Sequence, residues 1–206
     1  MQERSGRRSN RERTEEMRRR LLGAARALFV ERGYPDTGTP EIVTTAGVTR
    51  GALYHHFADK RALFRAVVEA EAAAVATEIE AAGDDGGDAA SRLLAGARAY
   101  LAAMAVPGRT RLLLVEAPAV LGDAEMRAID GDHAERTLRE GLGDAMRAGA
   151  ITPLPLAPLT SLLSAMFDRA ALDATAAGDA AETLQVIEAV FAGLARAASP
   201  KPADSP

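Results

Sequence analysis

The chain of 206 residues contains no cysteine and no tryptophan. Without cysteine it can build neither a disulfide framework nor a thiolate zinc site. No apolar stretch reaches the roughly eighteen residues that a bilayer-spanning helix needs. The arginine-rich N-terminal segment also lacks an apolar core of signal-peptide length. The sequence therefore predicts a soluble, cytoplasmic protein without a membrane partner.

Aromatic residues are scarce as well, at 4% of the chain, whereas 48% of the residues are hydrophobic. This hydrophobic content is enough for a packed core. Alanine and leucine, which favour helices, predominate in it. Few β-branched residues alternate with polar ones in the way that half-buried strands require. The composition predicts an all-α fold.

Positive charge is concentrated near the N-terminus. Residues 1–65 carry fourteen Lys and Arg against eight Asp and Glu, whereas residues 66–206 carry eleven against twenty-one. A solvated basic tail accounts for part of this asymmetry. A basic segment joined to an acidic body is also the pattern of a protein that turns one face toward a polyanion.

Two short helices joined by a tight turn are predicted between residues 37 and 60. Thr39 can cap a helix over Pro40–Ala46, because proline fits the first helical position. Gly47 can supply the left-handed residue that ends this helix. Thr49 can then cap a second helix over Arg50–Phe57. The pair forms a helix-turn-helix.

Donors and small side chains gather near the start of the second helix, where a recognition helix meets base edges and phosphates. A plain corner between helices could share the turn, but this outward face favours DNA binding. Arg50 can form a paired hydrogen bond with guanine O6 and N7, and Lys60 adds charge at the start of the next helix. The candidate DNA-binding residues are Thr37, Thr39, Thr44, Thr49, Arg50, Gly51, Tyr54, His55 and Lys60.

The same segment resembles the N-terminal domain of the TetR/AcrR family of transcriptional regulators over about residues 14 to 65. The resemblance is carried by Leu28-Phe29, Gly33-Tyr34, Thr37, Ile42, Ala46-Gly47-Val48, Gly51-Ala52-Leu53-Tyr54, His56-Phe57 and Lys60. The chain departs from the family at Gly38-Thr39-Pro40. The resemblance implies a homodimer that binds a palindromic double-stranded DNA operator and a C-terminal domain that binds a small-molecule effector.

The predicted organisation has a disordered basic arm at 1–13, a three-helix DNA-binding domain at 14–60, a larger helical effector-binding and dimerisation domain at 61–198, and a disordered tail at 199–206. About nine helices are expected. Beyond the helix-turn-helix, helical periodicity and helix-breaking residues predict six of these helices. They are Lys60 to about Glu80, Ala89–Val106, Arg109 to about Glu116, Asp123–Ala148, Pro158–Ala177 and Ala181–Ala198. A flexible loop is expected over residues 83–88.

The last two helices carry apolar stripes, which are typical of intramolecular cores. Because the family dimerises through its last two long helices, we interpret them as a dimer interface. Its residues would be Leu159, Leu162, Leu163, Leu184, Ile187, Phe191 and Leu194.

Large or adaptable apolar residues with a few polar tips are the candidates for the effector pocket. They are Tyr100, Met104, Met126, Ile129, His133, Met166 and Phe167.

The chain shows no phosphate-binding glycine loop, serine elbow or helical zinc pair, so we expect neither an enzyme nor a cofactor. His55 and His56 are neighbours in a helix and point about 100° apart, so we expect no metal site there. His133 with Asp130 and Asp132 is an alternative constellation, which we interpret as the wall of a ligand cavity or a solvated helix edge.

The sequence thus predicts a ligand-responsive, homodimeric repressor that an unidentified small molecule releases from DNA. Two alternatives stay open. One is an activator with the same fold, because sequence does not determine the sign of regulation. The other is a helical small-molecule-binding protein whose DNA-binding module is vestigial.

Overall fold

The protein is described by a computed structural model for residues 10–83, 87–177 and 180–196. These residues are almost entirely helical and contain no strand, which confirms the all-α prediction. Among the described helices, none combines the length and the apolar character that a membrane crossing requires. The chain forms two compact units that divide between Glu69 and Ala70.

The first unit contains α1 (Asn10–Arg32), α2 (Thr39–Ala46), α3 (Arg50–His56) and the beginning of α4 (Lys60–Gly83). Its core is aromatic and aliphatic. The ring of Phe29 meets that of Phe64 edge to face, with centroids 5.0 Å apart, and Leu21, Ile42 and Leu53 are fully buried beside other apolar side chains. Helix α1 begins four residues before Thr14, so only residues 1–9 of the expected arm lie outside the described part of the chain.

The second unit contains the rest of α4, followed by α5 (Ala89–Met104) and a helical stretch made of α6 (Arg109–Arg111), a π-helical turn (Leu112–Glu116) and α7 (Ala117–Leu121). Then come α8 (Asp123–Asp132), α9 (Ala134–Arg147), α10 (Leu156–Ala177) and α11 (Ala180–Arg196). With the π-containing stretch taken as one helix, the described residues form ten helices, against about nine expected. The tail at 199–206 and half of the expected loop, residues 84–86, lie outside the described residues.

Two helix boundaries differ from those expected. Pro118 does not stop the preceding helix, because it follows the π-helical turn and occupies one of the first positions of α7, where its missing N–H costs nothing. The helix expected over Asp123–Ala148 is broken at His133, whose backbone (φ −125°, ψ −106°) is not helical. Its carbonyl accepts from the N–H of Thr137 at 3.1 Å, so His133 begins the next helix.

Candidate functional site

The turn between α2 and α3 depends on Gly47. Its backbone is left-handed (φ 61°, ψ 42°), as expected, and the N–H of Val48 closes the turn onto Val43 O at 3.0 Å. Arg20 in α1 donates to Gly47 O at 2.9 Å, and a Cβ at Gly47 would lie 2.7 Å from that guanidinium. The left-handed backbone therefore favours glycine, and a side chain here would displace the Arg20 guanidinium. The role of Arg20 was missed because nothing in the local sequence points to a contact 27 residues away.

The starts of α2 and α3 are stabilised in different ways. Thr49 caps α3, as predicted, because its Oγ1 accepts from the N–H of Ala52 at 3.2 Å. Gly38 rather than Thr39 precedes α2, and the N–H of Gly38 donates to Glu41 Oε2 at 3.2 Å. This hydrogen bond, together with the Arg32 guanidinium, lowers the pKa of Glu41. The cap expected from Thr39 is therefore wrong, although the helix begins where its chemistry suggested.

The outward face of α3 presents five of the candidate residues together. The side chains of Arg50, Tyr54 and His55 are exposed, as are Thr49 and Gly51. The Arg50 guanidinium lies 5.6 Å from the centroid of the Tyr54 ring. Hydrogen bonds with Thr39 and Arg50 lower the pKa of the Tyr54 hydroxyl. Cationic, hydroxyl and imidazole groups thus share one accessible surface, which we call the α3 face.

Two other candidates, Thr44 and Thr37, lie outside the α3 face. Thr44 is exposed, and its hydroxyl donates to Pro40 O at 2.9 Å. Thr37 is only 1% exposed, and its hydroxyl bonds to the carbonyls of Leu28 (3.2 Å) and Gly33 (2.7 Å). This burial leaves Thr37 no surface for a partner molecule. Its position near the end of the α1–α2 connection gives it a structural role, in place of the expected DNA contact.

Lys60 is also engaged within the first unit. Its Nζ donates to Tyr34 O at 2.8 Å and to Thr37 O at 3.0 Å, and it lies 4.1 Å from the centroid of the Tyr34 ring. An ammonium group has three N–H donors, so one remains for a phosphate oxygen. The principal role of Lys60 here is to hold the α1–α2 connection against the start of α4.

We therefore expect Lys60→Ala to lower the free energy of unfolding of the first unit by about 2 kcal/mol, because two charge-assisted hydrogen bonds and a cation–π contact are lost. Thermal unfolding followed by circular dichroism measures the change. Arg50→Ala is the matched control, since it also removes a cation but from an exposed site. Unchanged stability in Lys60→Ala would restore the purely phosphate-binding role that the sequence suggested.

The second unit contains two cavities, of about 400 Å³ and about 300 Å³. Residues of α4, α5, α8, α9 and α10 line the larger one, and both cavities share Tyr100, Asp130, Ala134 and Asp168 in their walls. Of the candidate pocket residues, Tyr100 lines both cavities and Phe167 the larger one, whereas Met104, Met126 and Ile129 line the smaller one. His133 and Met166 line neither of these two cavities.

The wall common to both cavities carries two carboxylates. The Tyr100 hydroxyl donates to Asp168 Oδ1 at 2.6 Å, and Asp130 is hydrogen-bonded by the Ser164 side chain and the Glu135 backbone. Burial raises the pKa of Asp130 to about 6, and the charges of Asp168 and Glu135 add to the shift. Burial also raises the pKa of Asp168. The sequence pointed to Asp130 through its neighbour His133, but Asp168 was missed because nothing in the sequence around it shows that it faces Tyr100, 68 residues earlier.

The last two helices bury part of the expected dimer interface inside one chain. Leu163, Ile187 and Phe191 are buried, and Phe167 stacks on Phe191 with centroids 6.1 Å apart. Leu159, Leu184 and Leu194 are half-buried. Among the predicted residues only Leu162 is strongly exposed, at 72%. The stripe is therefore mainly core, and the exposed large apolar residues of α11 are Val186 and Val190, which lie about 100° around the helix from Ile187 and Phe191.

A helix-turn-helix unit with an exposed basic helix, joined to a larger helical unit with internal cavities, defines the class of helical DNA-binding regulators. The model of bacterial regulatory proteins of the tetR family matches residues 21–67, and that of the tetracyclin repressor-like C-terminal domain matches residues 90–198. The chain belongs to the TetR family.

Individual relatives support this assignment. A TetR-family transcriptional regulator from Pectobacterium atrosepticum is 32% identical, and the match covers 94% of this chain and 100% of that one with a TM-score of 0.72. The transcriptional activator FasR of Mycolicibacterium smegmatis is 46% identical over 63 residues, 31% of this chain and 29% of that protein. The transcriptional repressor BepR of Brucella suis is 45% identical over 53 residues, 26% of this chain and 25% of that protein. The chain thus matches less than a third of the length of these two curated relatives.

Proposed function

We propose that the protein is a homodimeric transcriptional regulator that binds a palindromic DNA operator through the α3 face and leaves it when a small molecule occupies the second unit. The observation that carries this proposal is the exposed cluster of Arg50, Tyr54 and His55 on a capped helix behind a glycine turn. Most DNA-binding helix-turn-helix proteins place such a helix in the major groove.

The residues of the α3 face divide into two roles. Arg50, at the first position of α3, can reach guanine O6 and N7, and the hydroxyl of Thr49 can donate to a base or a phosphate. Gly51 has open space where a Cβ would stand, with Thr49 Oγ1 4.0 Å away, so it lets DNA approach the backbone. Tyr54 and His55, one turn later, suit phosphate oxygens.

A second copy of the chain is the proposed partner of α10 and α11. Leu162, Val186 and Val190 are exposed apolar residues on these helices, and exposed apolar clusters mark association surfaces. Two α3 helices in a symmetric dimer would meet two half-sites of a palindrome, one helical turn or a multiple of it apart. Light scattering at micromolar concentration tests this part of the proposal, and a monomer would refute it.

The cavities of the second unit are the proposed effector site. The larger one lies within the size range of small-molecule sites, and its wall combines apolar side chains with a few polar groups. A ligand that binds one arrangement of the dimer better than another would shift the population away from the DNA-bound form. Release from the operator follows from that difference in affinity.

The DNA-binding proposal predicts that Arg50→Ala reduces discrimination between the operator and scrambled DNA by roughly 10–100-fold, because one bidentate base contact is lost. Mobility shifts at matched salt with DNA flanking the gene, compared with scrambled DNA, give this ratio. Arg147→Ala, which removes an exposed arginine from the second unit, is the control and keeps the native ratio. Equal affinity of the native protein for both DNAs would exclude a sequence-specific regulator.

The sign of regulation separates the two DNA-binding alternatives. A repressor is the simpler proposal, and the name of BepR supports it, whereas the name of FasR supports an activator. Expression of a reporter placed behind the operator decides between them, because loss of the regulator raises expression in the first case and lowers it in the second. A helical ligand-binding protein without an operator would give no change.

A further inference from the structure

We infer that the ligand of the two cavities is an organic cation, an ammonium or amidinium group on an apolar body, bound between Asp130 and Asp168. This inference rests on the proposed effector site and names the chemical class of its ligand. It depends on three observations: the placement of the two carboxylates, the partners they have, and the character of the remaining wall.

The two carboxylates lie in the wall that the cavities share, so a ligand entering either cavity meets both of them. Their hydrogen-bond partners are neutral: the Tyr100 hydroxyl for Asp168, and the Ser164 side chain with the Glu135 backbone for Asp130. Within the described ranges 10–83, 87–177 and 180–196, neither forms an ion pair with a lysine, arginine or histidine. Two negative charges therefore share a partly desolvated site, which carries a free-energy cost that a bound cation removes.

The carboxylates at the outer edge of the larger cavity are in a different situation. Glu80 and Glu140 both pair with Arg136, at 2.6 and 3.1 Å, and Asp144 pairs with Arg147. Their charges are compensated by the protein itself. The cavity thus presents its uncompensated negative charge at the shared wall, where a ligand would lose water on binding.

The remaining wall suits the body of such a ligand. The Tyr100 ring at the shared wall and the Phe167 ring in the larger cavity have centroids 5.6 Å apart. Aromatic faces attract desolvated cations. Ile79 and Leu93 continue the larger cavity, and Leu113 with Met126 continues the smaller one, as apolar surface. Each cavity also has an arginine in its wall, Arg92 in the larger and Arg127 in the smaller, but neither lines the part that the two cavities share. At that shared part, carboxylate, aromatic and aliphatic groups together match a hydrophobic cation.

Other ligand classes fit less well. An anion such as a fatty acid would place a third negative charge beside Asp130 and Asp168. A neutral molecule would displace water from both carboxylates without compensating them. A metal ion needs more oxygen or nitrogen ligands than this pair supplies, and the described residues contain no group of three or more His, Asp or Glu that could hold one.

Isothermal titration of the full-length protein at pH 7.5 with three ten-carbon probes tests the inference. The probes are decyltrimethylammonium, decyldimethylamine oxide and decanoate, which share a ten-carbon chain and carry a positive, a neutral and a negative head group, and each is kept below its critical micelle concentration. The cation is expected to bind at least about tenfold more tightly than the neutral oxide, and decanoate is expected not to bind. Equal affinity for the first two, a preference for decanoate, or no binding of any probe would overturn the inference.

Charge-removing variants locate the site. Asp130→Asn and Asp168→Asn should each weaken decyltrimethylammonium binding about tenfold while leaving the oxide unchanged. Asp173→Asn is the control, because it removes the same charge from the same helix as Asp168 at a position where Arg169 pairs with it at 2.9 Å on the surface. Unchanged cation affinity in both cavity variants, or an equal loss in the control, would mean that the site lies elsewhere.

The titrations contain no DNA, so they separate this inference from the proposed regulator. Cation binding without any operator shift would leave the ligand class standing and remove the DNA-binding proposal. An operator shift together with indifference to the head-group charge would do the reverse.

Discussion

Replacing Arg109 by methionine is expected to lower the free energy of unfolding of the second unit by about 3–5 kcal/mol. The guanidinium is buried, with 7% of its side chain exposed, and its Nε donates to Glu71 Oε2 at 3.0 Å. One of its terminal nitrogens donates to Glu78 Oε1 at 3.0 Å and to Ala103 O at 2.8 Å. Methionine preserves much of the volume but withdraws the positive charge from Glu71, which is itself only 11% exposed.

Urea unfolding followed by circular dichroism at 222 nm measures this loss, and a thermal midpoint lower by about 10 °C is expected for a chain of this size. Arg111→Met is the control in the same short helix. Arg111 pairs with Glu116 at 2.5 Å but is half-exposed, so its removal should cost less than about 1 kcal/mol. If the two variants were equally stable, the buried ion pair would contribute no more than a surface pair does.

Asp130→Asn is expected to stabilise the ligand-free protein by about 3 kcal/mol at pH 8 and by only about 1 kcal/mol at pH 4.5. The pKa of Asp130 is raised from 3.8 to about 6 in the folded protein, first by burial and then by the charges of Asp168 and Glu135. The folded state therefore binds the proton more tightly than the unfolded state. The contribution of Asp130 to stability is greatest below pH 4 and is lost as the pH rises through 6, at about 1.4 kcal/mol per unit of pKa shift.

The amide that this substitution introduces can still accept hydrogen bonds from Ser164 and from the Glu135 backbone, but it never ionises. The difference in melting temperature between the native protein and the variant, followed from pH 4.5 to 8, isolates this one group from the titration of all others. Asp173→Asn should show no such difference, since its carboxylate is on the surface. A variant no more stable than the native protein at pH 8 would show that the raised pKa of Asp130 has no effect on stability.

The helix-turn-helix could be predicted from sequence because its determinants are local. Thr49 caps α3 by accepting from the N–H of Ala52, three residues later, and Gly47 ends α2. Residues close in sequence therefore determine both features. The same reasoning placed Arg50, Tyr54 and His55 on one exposed face. It failed for Thr37, whose hydroxyl bonds to Leu28 O inside the unit, and it did not foresee that Lys60 also donates to Tyr34 O. A polar residue in a DNA-binding segment looks the same in sequence whether it faces solvent or the core.

The site of the second unit was harder to predict from the sequence, because it depends on contacts between helices that are far apart along the chain. Tyr100 and Asp168 are 68 residues apart and meet only through packing. The stripe of Ile187 and Phe191 was correctly read as an apolar seam, but periodicity does not tell whether the other side of a seam is the same chain or another. Likewise, the break at His133 interrupts a helical pattern that continues on both sides of it.

The two cavities are also partly open gaps in the packing of the second unit. Interiors of proteins are normally filled to crystal-like density, and each unfilled volume removes dispersion contacts from the side chains around it. A molecule that occupied the 400 Å³ cavity would complete the core as well as neutralise its charge. Its binding free energy would then add to the folding free energy, by about 2.7 kcal/mol at a hundred times the dissociation constant. A ligand bound from solution would in this sense complete the core of the second unit.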